Sequence, residues 1–469
     1  MHSLNMFTEK TLTKKNLWSE YKTTSASIAT LITVLAILLA RGWGAQYRVD
    51  WEETFGIGLS LTRGVSAIWE PNNYGVLSTR IMQLVIVQFP LDYLPQVIFI
   101  CATMFWVANL AIIYFAIATT TENRLFTIMT VIGLALLPTP VIGGQGAIQG
   151  SWWLQTFTLM VILAAFPNLE QKRKLGIFIL VFTAITVASF PVGMCLALPT
   201  MWRLMMRRSS FKKWDSYLLG AFFLGSVYQL IVFLQRDSLL SYLGEWYPNQ
   251  KNEEVAVSIW SDTNALTARD LPKTSIQELP RTIYISIKSV YGEMMPDPIK
   301  SLIHADRSWF PNLLVLFLIV ILSYAVVAVF ARTENKRING FVRRLVFYLV
   351  PIFVFQLVTV GRLDRFQYAN LFDMAFVVVV SGIVAVCIKD KNAGYIALAS
   401  VMTALFVVGA VQQFRDSNRY GSGWVFGYET AKSECNLETP EEVVVIAQST
   451  TAISNQEFSP IGLRCKHLK

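Results

Sequence analysis

The feature that most constrains this chain is a recurring pattern of apolar runs, each roughly 16 to 24 residues long, spread from Ser25 to Gln413. A helix rises about 1.5 Å per residue, so runs of this length match a hydrocarbon layer about 30 Å thick. Composition points the same way. Of 469 residues, 54% are apolar and 15% charged, which is more apolar surface than one soluble core of this length hides. Strand-like alternation over about ten residues does not recur, which argues against an outer-membrane barrel. The first run follows a polar stretch with Lys10, Lys14, Lys15 and Lys22, and no small-residue cleavage site comes after it. It reads as a retained signal-anchor helix. The fold class expected is therefore an all-α polytopic membrane protein.

Spans are expected at 25–43, 95–118, 124–140, 151–166, 175–190, 192–206, 216–235, 310–331, 345–360, 366–388 and 393–412, about eleven in all. Threaded from a cytoplasmic N-terminus, the inner side receives Lys172, Arg173 and Lys174, then Arg203, Arg207, Arg208, Lys212 and Lys213. It then receives Arg332, Lys336, Arg337, Arg343 and Arg344, and finally Lys389 and Lys391. This is the asymmetry that the positive-inside rule describes, and it accounts for a net charge of +9 without nucleic acid. The apolar stretch from Leu175 to Met206 has basic clusters at both ends. Two short helices turning at Ser189, Phe190, Pro191, Val192 and Gly193 keep both clusters on one side, and Pro and Gly permit the turn. Pro138, Pro140, Gly143, Gly144 and Gly146 break the chain between the two short spans before it.

The resulting domain plan is a cytoplasmic segment 1–24, a transmembrane domain 25–413 with outer loops at 44–94 and 236–309, and an external appendage 414–469. The cytoplasmic links are too short to build a catalytic domain, so chemistry is sought outside. In the first outer loop, Thr54–Trp69 and Leu77–Phe89 interleave apolar residues with Arg63, Arg80 and Gln83, as helices lying on a membrane surface do. A lid packed on the bundle gives the same pattern. Cys101, Cys195 and Cys387 fall within apolar spans and read as small buried residues. Cys435 and Cys465 lie in the exported tail, where oxidising conditions favour a disulfide. Glu442–Gln448 reads as a buried strand and Gly427–Cys435 as a helix, giving a small α/β tail.

With three histidines and no paired spacing, the sequence offers no zinc motif. Phosphate-loop, nucleophile-elbow and dinucleotide signatures are absent too. The acidic cluster Asp50, Glu52 and Glu53 lies just beyond the first helix. A carboxylate anchored there has the geometry of a general base for a hydroxyl at the headgroups, although a solvated helix start also accounts for it. Arg362 and Arg365, with Asp364 and Tyr368, stand at an outer junction of two spans, where positive-inside bias disfavours arginine. They suit either a clamp on a lipid-linked phosphate, together with Arg80, or pairing with Asp364. Gln145, Gln149, Trp152, Trp153 and Gln155 combine amides with aromatic faces, as sugar sites do and as interfacial tryptophan belts also do. Tyr368 and His304, the latter beside Asp306, Arg307 and Trp309, are further candidates for sugar or acceptor contact.

This arrangement resembles the GT-C class of membrane glycosyltransferases, which take sugars from polyprenyl-phosphate carriers. The likeness is one of organisation: an N-in first helix, an acidic first outer loop with surface helices, short helix hairpins, a large outer loop and an exported tail. Asp50 is the position that matches the family's catalytic acid. It is followed by Trp51 and not by a second acid, which leaves Glu52 and Glu53 as rival counterparts. The resemblance implies an inverting hexosyl or pentosyl transfer with a polyprenyl-phosphate-linked donor and a glycan or lipid-linked acceptor. It places the enzyme in a bacterial inner membrane, facing outward, and leaves a divalent cation as the one candidate cofactor. The rival readings are a surface-polysaccharide polymerase, a non-catalytic assembly subunit, and a lipid-linked glycan transporter. The last is weakened because almost every charge lies at an end of an expected span and no repeat is visible.

Overall fold

The computed structural model describes residues 25–43, 46, 51–69, 75–137, 151–166, 173–206, 213–234, 336–359, 366–390, 423–435, 443–448 and 458–465. Helices α1 (Ser25–Gly42), α4 (Leu94–Thr121), α5 (Arg124–Ala135), α6 (Ser151–Ala165), α7 (Arg173–Ser189), α8 (Ala197–Met206), α9 (Lys213–Leu234), α10 (Lys336–Thr359) and α11 (Phe366–Asp390) form the bundle. Each coincides with an expected span; the spans expected at 310–331 and 393–412 lie outside the described residues. By length and composition, Leu91–Thr121 and Lys213–Leu234 qualify as full membrane crossings. Between α1 and α4 run α2 (Trp51–Arg63), a 3-10 stretch (Gly64–Trp69) and α3 (Leu77–Ile86). The tail consists of α12 (Gly423–Glu434) and the strands β1 (Val443–Gln448) and β2 (Phe458–Arg464).

The bundle's outer surface is apolar. Ile28, Ile32 and Leu35 on α1, Ile177 and Val181 on α7, and Phe223, Leu224, Phe233 and Leu234 on α9 are all exposed. A row of large apolar side chains on several helices is a surface made for lipid. The interior is equally apolar but closely packed, with Trp106, Trp153, Phe126, Phe157, Phe341 and Tyr348 fully or nearly fully buried.

Side chains from neighbouring helices satisfy the ends of the short helices. The final carbonyls of α6 are taken by side chains from three other helices: Arg203 Nη1 donates to Leu163 O (3.1 Å), Arg344 Nε to Ala164 O (2.7 Å) and Thr120 Oγ1 to Ala165 O (3.2 Å). These carbonyls have no partner within the helix and carry its negative dipole end, so buried guanidiniums stabilise them. Arg203 also donates to the Tyr348 hydroxyl at 2.9 Å. Arg41 Nη1 does the same for Ala135 O at the end of α5 (2.8 Å). The link from α4 to α5 is two residues long. Glu122 takes left-handed backbone (φ 51°) and the Asn123 side chain accepts from the Phe126 N–H at 2.9 Å, capping α5. Glu122 is paired with Arg337.

The turn between α7 and α8 falls where the sequence places it. Phe190 is extended, Pro191–Leu196 form a 3-10 stretch, and α8 follows. Ser189 lies level with Gln155 in the first half of α6, through Ser78, whereas Arg203 lies level with Leu163 near its end. The basic ends of α7 and α8 therefore share one end of the bundle, as the hairpin requires. α10 begins earlier than expected, at Lys336, so Arg343 and Arg344 fall inside a helix and Arg344 is buried. Asp373, eight residues into α11, is buried too. Almost every charge was expected at a span end; Asp373 lies within the span expected at 366–388 and Arg344 now falls within α10, and packing against neighbouring helices, which hydropathy does not report, shelters both.

In the tail, β1 and β2 pair antiparallel, with Val443 opposite Arg464 and Gln448 opposite Phe458. Cys435 and Cys465 form a disulfide, with Cα atoms 5.4 Å apart. The helix begins at Gly423, four residues earlier than expected, and β2 is a strand that the sequence reading did not place.

Candidate functional site

The site is a buried polar seam between α3 and the bundle, at the end opposite the α6 arginines. Helix α3 is amphipathic in the reverse of the usual sense. Its polar residues Ser78, Thr79, Arg80 and Gln83 are buried, Arg80 and Gln83 completely, while Ile81 and Val85 are 44% and 53% exposed. The spacing of a helical face dictates that positions 79, 80 and 83 lie together and that 81 and 85 lie on another side. Nothing in that spacing says which side meets the bundle. Of the two readings of this loop, helices on a membrane surface or a lid packed on the bundle, the inward-facing Arg80 and Gln83 agree with the packed lid.

Those partners come from three spans. The Ser78 N–H donates to Ser189 Oγ (2.9 Å) and Ser78 Oγ donates to Gln155 Oε1 (2.9 Å). Gln229, buried on α9, brackets the chain just before α3. Its Nε2 donates to the carbonyls of Gly75, Val187 and Ala188, and its Oε1 accepts from the Gly75 N–H, each at 2.9 Å. Tyr228 donates its hydroxyl to the Ile68 carbonyl. Gly75 is glycine for a steric reason: a Cβ there would lie 2.5 Å from the Tyr228 ring and 3.1 Å from Ala188 O.

Within the seam, Arg80 Nη1 donates to Gln83 Oε1 at 3.0 Å, and Arg80 is within electrostatic reach of the Tyr228 hydroxyl. Gln83 is seated in turn against α2, where a Cβ on Gly56 would fall 2.1 Å from its Nε2. The α2 helix begins at Trp51, so Glu52 and Glu53 lie in its first turn, where acids are favoured by the exposed N–H groups. The described contacts set the Arg80 guanidinium beside the Gln83 amide and near the Tyr228 hydroxyl, next to the helix that carries Glu52 and Glu53. A guanidinium so held can fork onto an anionic oxygen such as a phosphate or carboxylate.

Trp152, Trp153 and Gln155 are buried on α6, with Trp152 stacked on Phe190 at 5.3 Å and Trp153 edge-on to it at 4.3 Å. They back the seam and are not an open aromatic platform or an interfacial belt, because the turn before Pro191 supplies Phe190 as their packing partner. Asp50, Gln145, Gln149, His304, Arg362 and Arg365 lie outside the described residues, and of Tyr368 the structure describes only its place in the first turn of α11. Sequence reasoning missed Ser78, Ser189, Gln229 and Gly56. A polar residue within an otherwise apolar span was the one available signal for Gln229. Among the described residues, no group of three or more His, Cys, Asp and Glu gathers as a metal site.

Helix α2 also enters a second, apolar cluster. Ile57 and Leu59 share a buried cluster with Ile86, Leu91, Leu94 and Ile98 and with Tyr428, Ala431 and Cys465 of the tail. Burial pushes the Tyr428 phenol up from its usual range, and the nearby Asp92 and Glu429 charges add to this. The fold and site thus define a helical membrane protein with a buried cationic seam under a surface helix. No family model matches the chain, and no curated protein matches it. Among solved structures it is similar to the oligosaccharyltransferase of Archaeoglobus fulgidus, solved as a complex with Zn and sulfate, at a TM-score of 0.46 and 9% sequence identity. The match covers 86% of this chain and 55% of that one, so the chain spans about half the length of the structure it matches.

Proposed function

We propose that the chain is a membrane glycosyltransferase that moves a sugar from a polyprenyl-phosphate carrier to a cell-surface glycan or lipid-linked acceptor, on the outer face of a bacterial inner membrane. The observation that carries this reading is the reversed amphipathicity of α3, which sets a completely buried Arg80 between a lipid-facing helix and a polar wall of the bundle. An amphiphile with an anionic head and a hydrocarbon tail fits such a boundary: the head meets the guanidinium while the tail stays in the bilayer. Arg362 and Arg365 are assigned to the same phosphate. Asp50 is assigned as general base, one residue before α2, with Glu52 and Glu53 as its rivals.

In this mechanism the acceptor hydroxyl gives its proton to the Asp50 carboxylate as its oxygen attacks the anomeric carbon. The bond from that carbon to the phosphate oxygen breaks, and its electron pair leaves with the polyprenyl phosphate. The arginines stabilise the charge that grows on the leaving phosphate, and attack opposite the leaving group inverts the anomeric centre. The described residues offer no ligand cluster for a divalent cation, so no step is drawn through one.

The test uses the full chain in nanodiscs with radiolabelled undecaprenyl phosphate, and then with undecaprenyl-phosphate-linked sugars as donors. Arg80→Ala should weaken undecaprenyl phosphate binding by roughly tenfold or more, and Arg80→Lys should recover part of it because Lys lacks the planar fork. Unchanged binding by a folded Arg80→Ala protein would overturn the assignment.

A further inference from the structure

We propose that the disulfide-closed tail is a positioning element of the donor site: docked on α2, it seats Gly56 against Gln83 and thereby holds Arg80 in place. This rests on the reading of Arg80 given above.

On α12, Tyr428, Ala431 and Cys435 follow at three- and four-residue spacing along one face, and Tyr428 and Ala431 are buried. Glu429, Thr430, Lys432 and Ser433 on the other sides are exposed. The disulfide joins the residue after α12 to the residue after β2, so the helix and the strand pair present one surface. Strand β2 of the tail meets α2, and Tyr428, Ala431 and Cys465 belong to one buried apolar cluster with Ile57, Leu59, Ile86, Leu91, Leu94 and Ile98. An independent appendage would keep its apolar face within itself; here the face is shared with the loop that carries the polar seam. Helix α2 is packed both in the apolar cluster that it shares with the tail, to which Ile57 and Leu59 belong, and against α3 at Gly56, where Gln83 occupies the space that a Cβ would take. Gln83 is the described acceptor for Arg80 Nη1. The contacts thus run from the disulfide to α2, to Gln83 and to the guanidinium. Packed interfaces of this kind shift as units, so loosening one end moves the other.

The experiment compares the full-length protein in nanodiscs with three variants: Ala431→Glu, which puts a charge into the docked face with both cysteines intact; Cys435→Ser with Cys465→Ser; and Ala431→Ser as the conservative control. Hydrogen exchange is read over 51–63 and 77–86, and binding of radiolabelled undecaprenyl phosphate is measured in parallel. Ala431→Glu should speed exchange in both segments at least tenfold and weaken undecaprenyl phosphate binding by a similar factor, while α7 and α9 keep their protection. The double serine variant should fall in between, and Ala431→Ser should match the wild type. If the tail alone loses protection, in either the glutamate or the double serine variant, the docking is refuted. If both segments loosen and undecaprenyl phosphate binds as before, the coupling is real but Arg80 is not the donor's cation, and the proposal falls together with that assignment.

Discussion

Replacing Gln229 by Leu keeps the volume of the side chain and removes the bonds that hold the chain just before α3 to the bundle, leaving those of Ser78 to Ser189 and Gln155. The Gln229 amide has two protons for three carbonyls and accepts one bond from the Gly75 N–H, all at 2.9 Å and out of water. Counted by protons this is about three hydrogen bonds at about 1 kcal/mol each, or about 3 kcal/mol. Polar contacts within membranes average nearer ~0.6 kcal/mol, which sets a lower figure of about 2 kcal/mol. Leaving the Gly75, Val187 and Ala188 carbonyls without this donor in a dry site pushes the cost toward the upper value. A loss of about 3 kcal/mol is roughly a 100-fold fall in the docked fraction of α3. Hydrogen exchange over 75–86 should therefore quicken by about that factor in Gln229→Leu, with α4 unchanged and the melting temperature in detergent lowered. If that segment exchanges at the wild-type rate, the bracket does not hold α3 and the seam is not a rigid site.

Gly56→Leu should displace Gln83, since even a Cβ would fall 2.1 Å from its Nε2, and cost about 1–3 kcal/mol in stability by overpacking, measured by thermal unfolding. Equal stability would mean that α2 and α3 do not interlock. Asp50→Asn keeps size but removes basicity, so turnover should fall roughly 100-fold or more while undecaprenyl phosphate still binds; near-normal turnover moves the role to Glu52 or Glu53. Reporters fused after Lys174, Lys213 and Arg344 should all read as cytoplasmic and one after Gln413 as external, and an external signal after Lys213 would remove the hairpin from the threading.

The sequence by itself determined the solvent and the sites of the breaks. Apolar runs of bilayer length specify helices because lipid offers backbone groups no other partner. Pro191 forces the turn after α7 because it cannot continue a helix with its N–H paired. Cys435 and Cys465 were legible as a pair from their shared place in the tail, outside every expected span. What the sequence could not state is which way a face turns. The spacing of Thr79, Arg80 and Gln83 fixes that they lie together, but in a helix between lipid and a bundle the polar side goes inward, the reverse of a soluble surface helix. The partners that dock this segment stand far along the chain: from Ser78, 77 residues away at Gln155 and 111 at Ser189, and from Gly75, 154 at Gln229. The same holds for Arg203 and Arg344, which read as cytoplasmic surface charges until the unfinished end of α6 is brought against them, and for the tail, whose apolar face is completed by α2. Local spacing settles which residues share a side, and only tertiary packing decides what that side meets, because the partners that satisfy a buried polar group come from elsewhere in the chain.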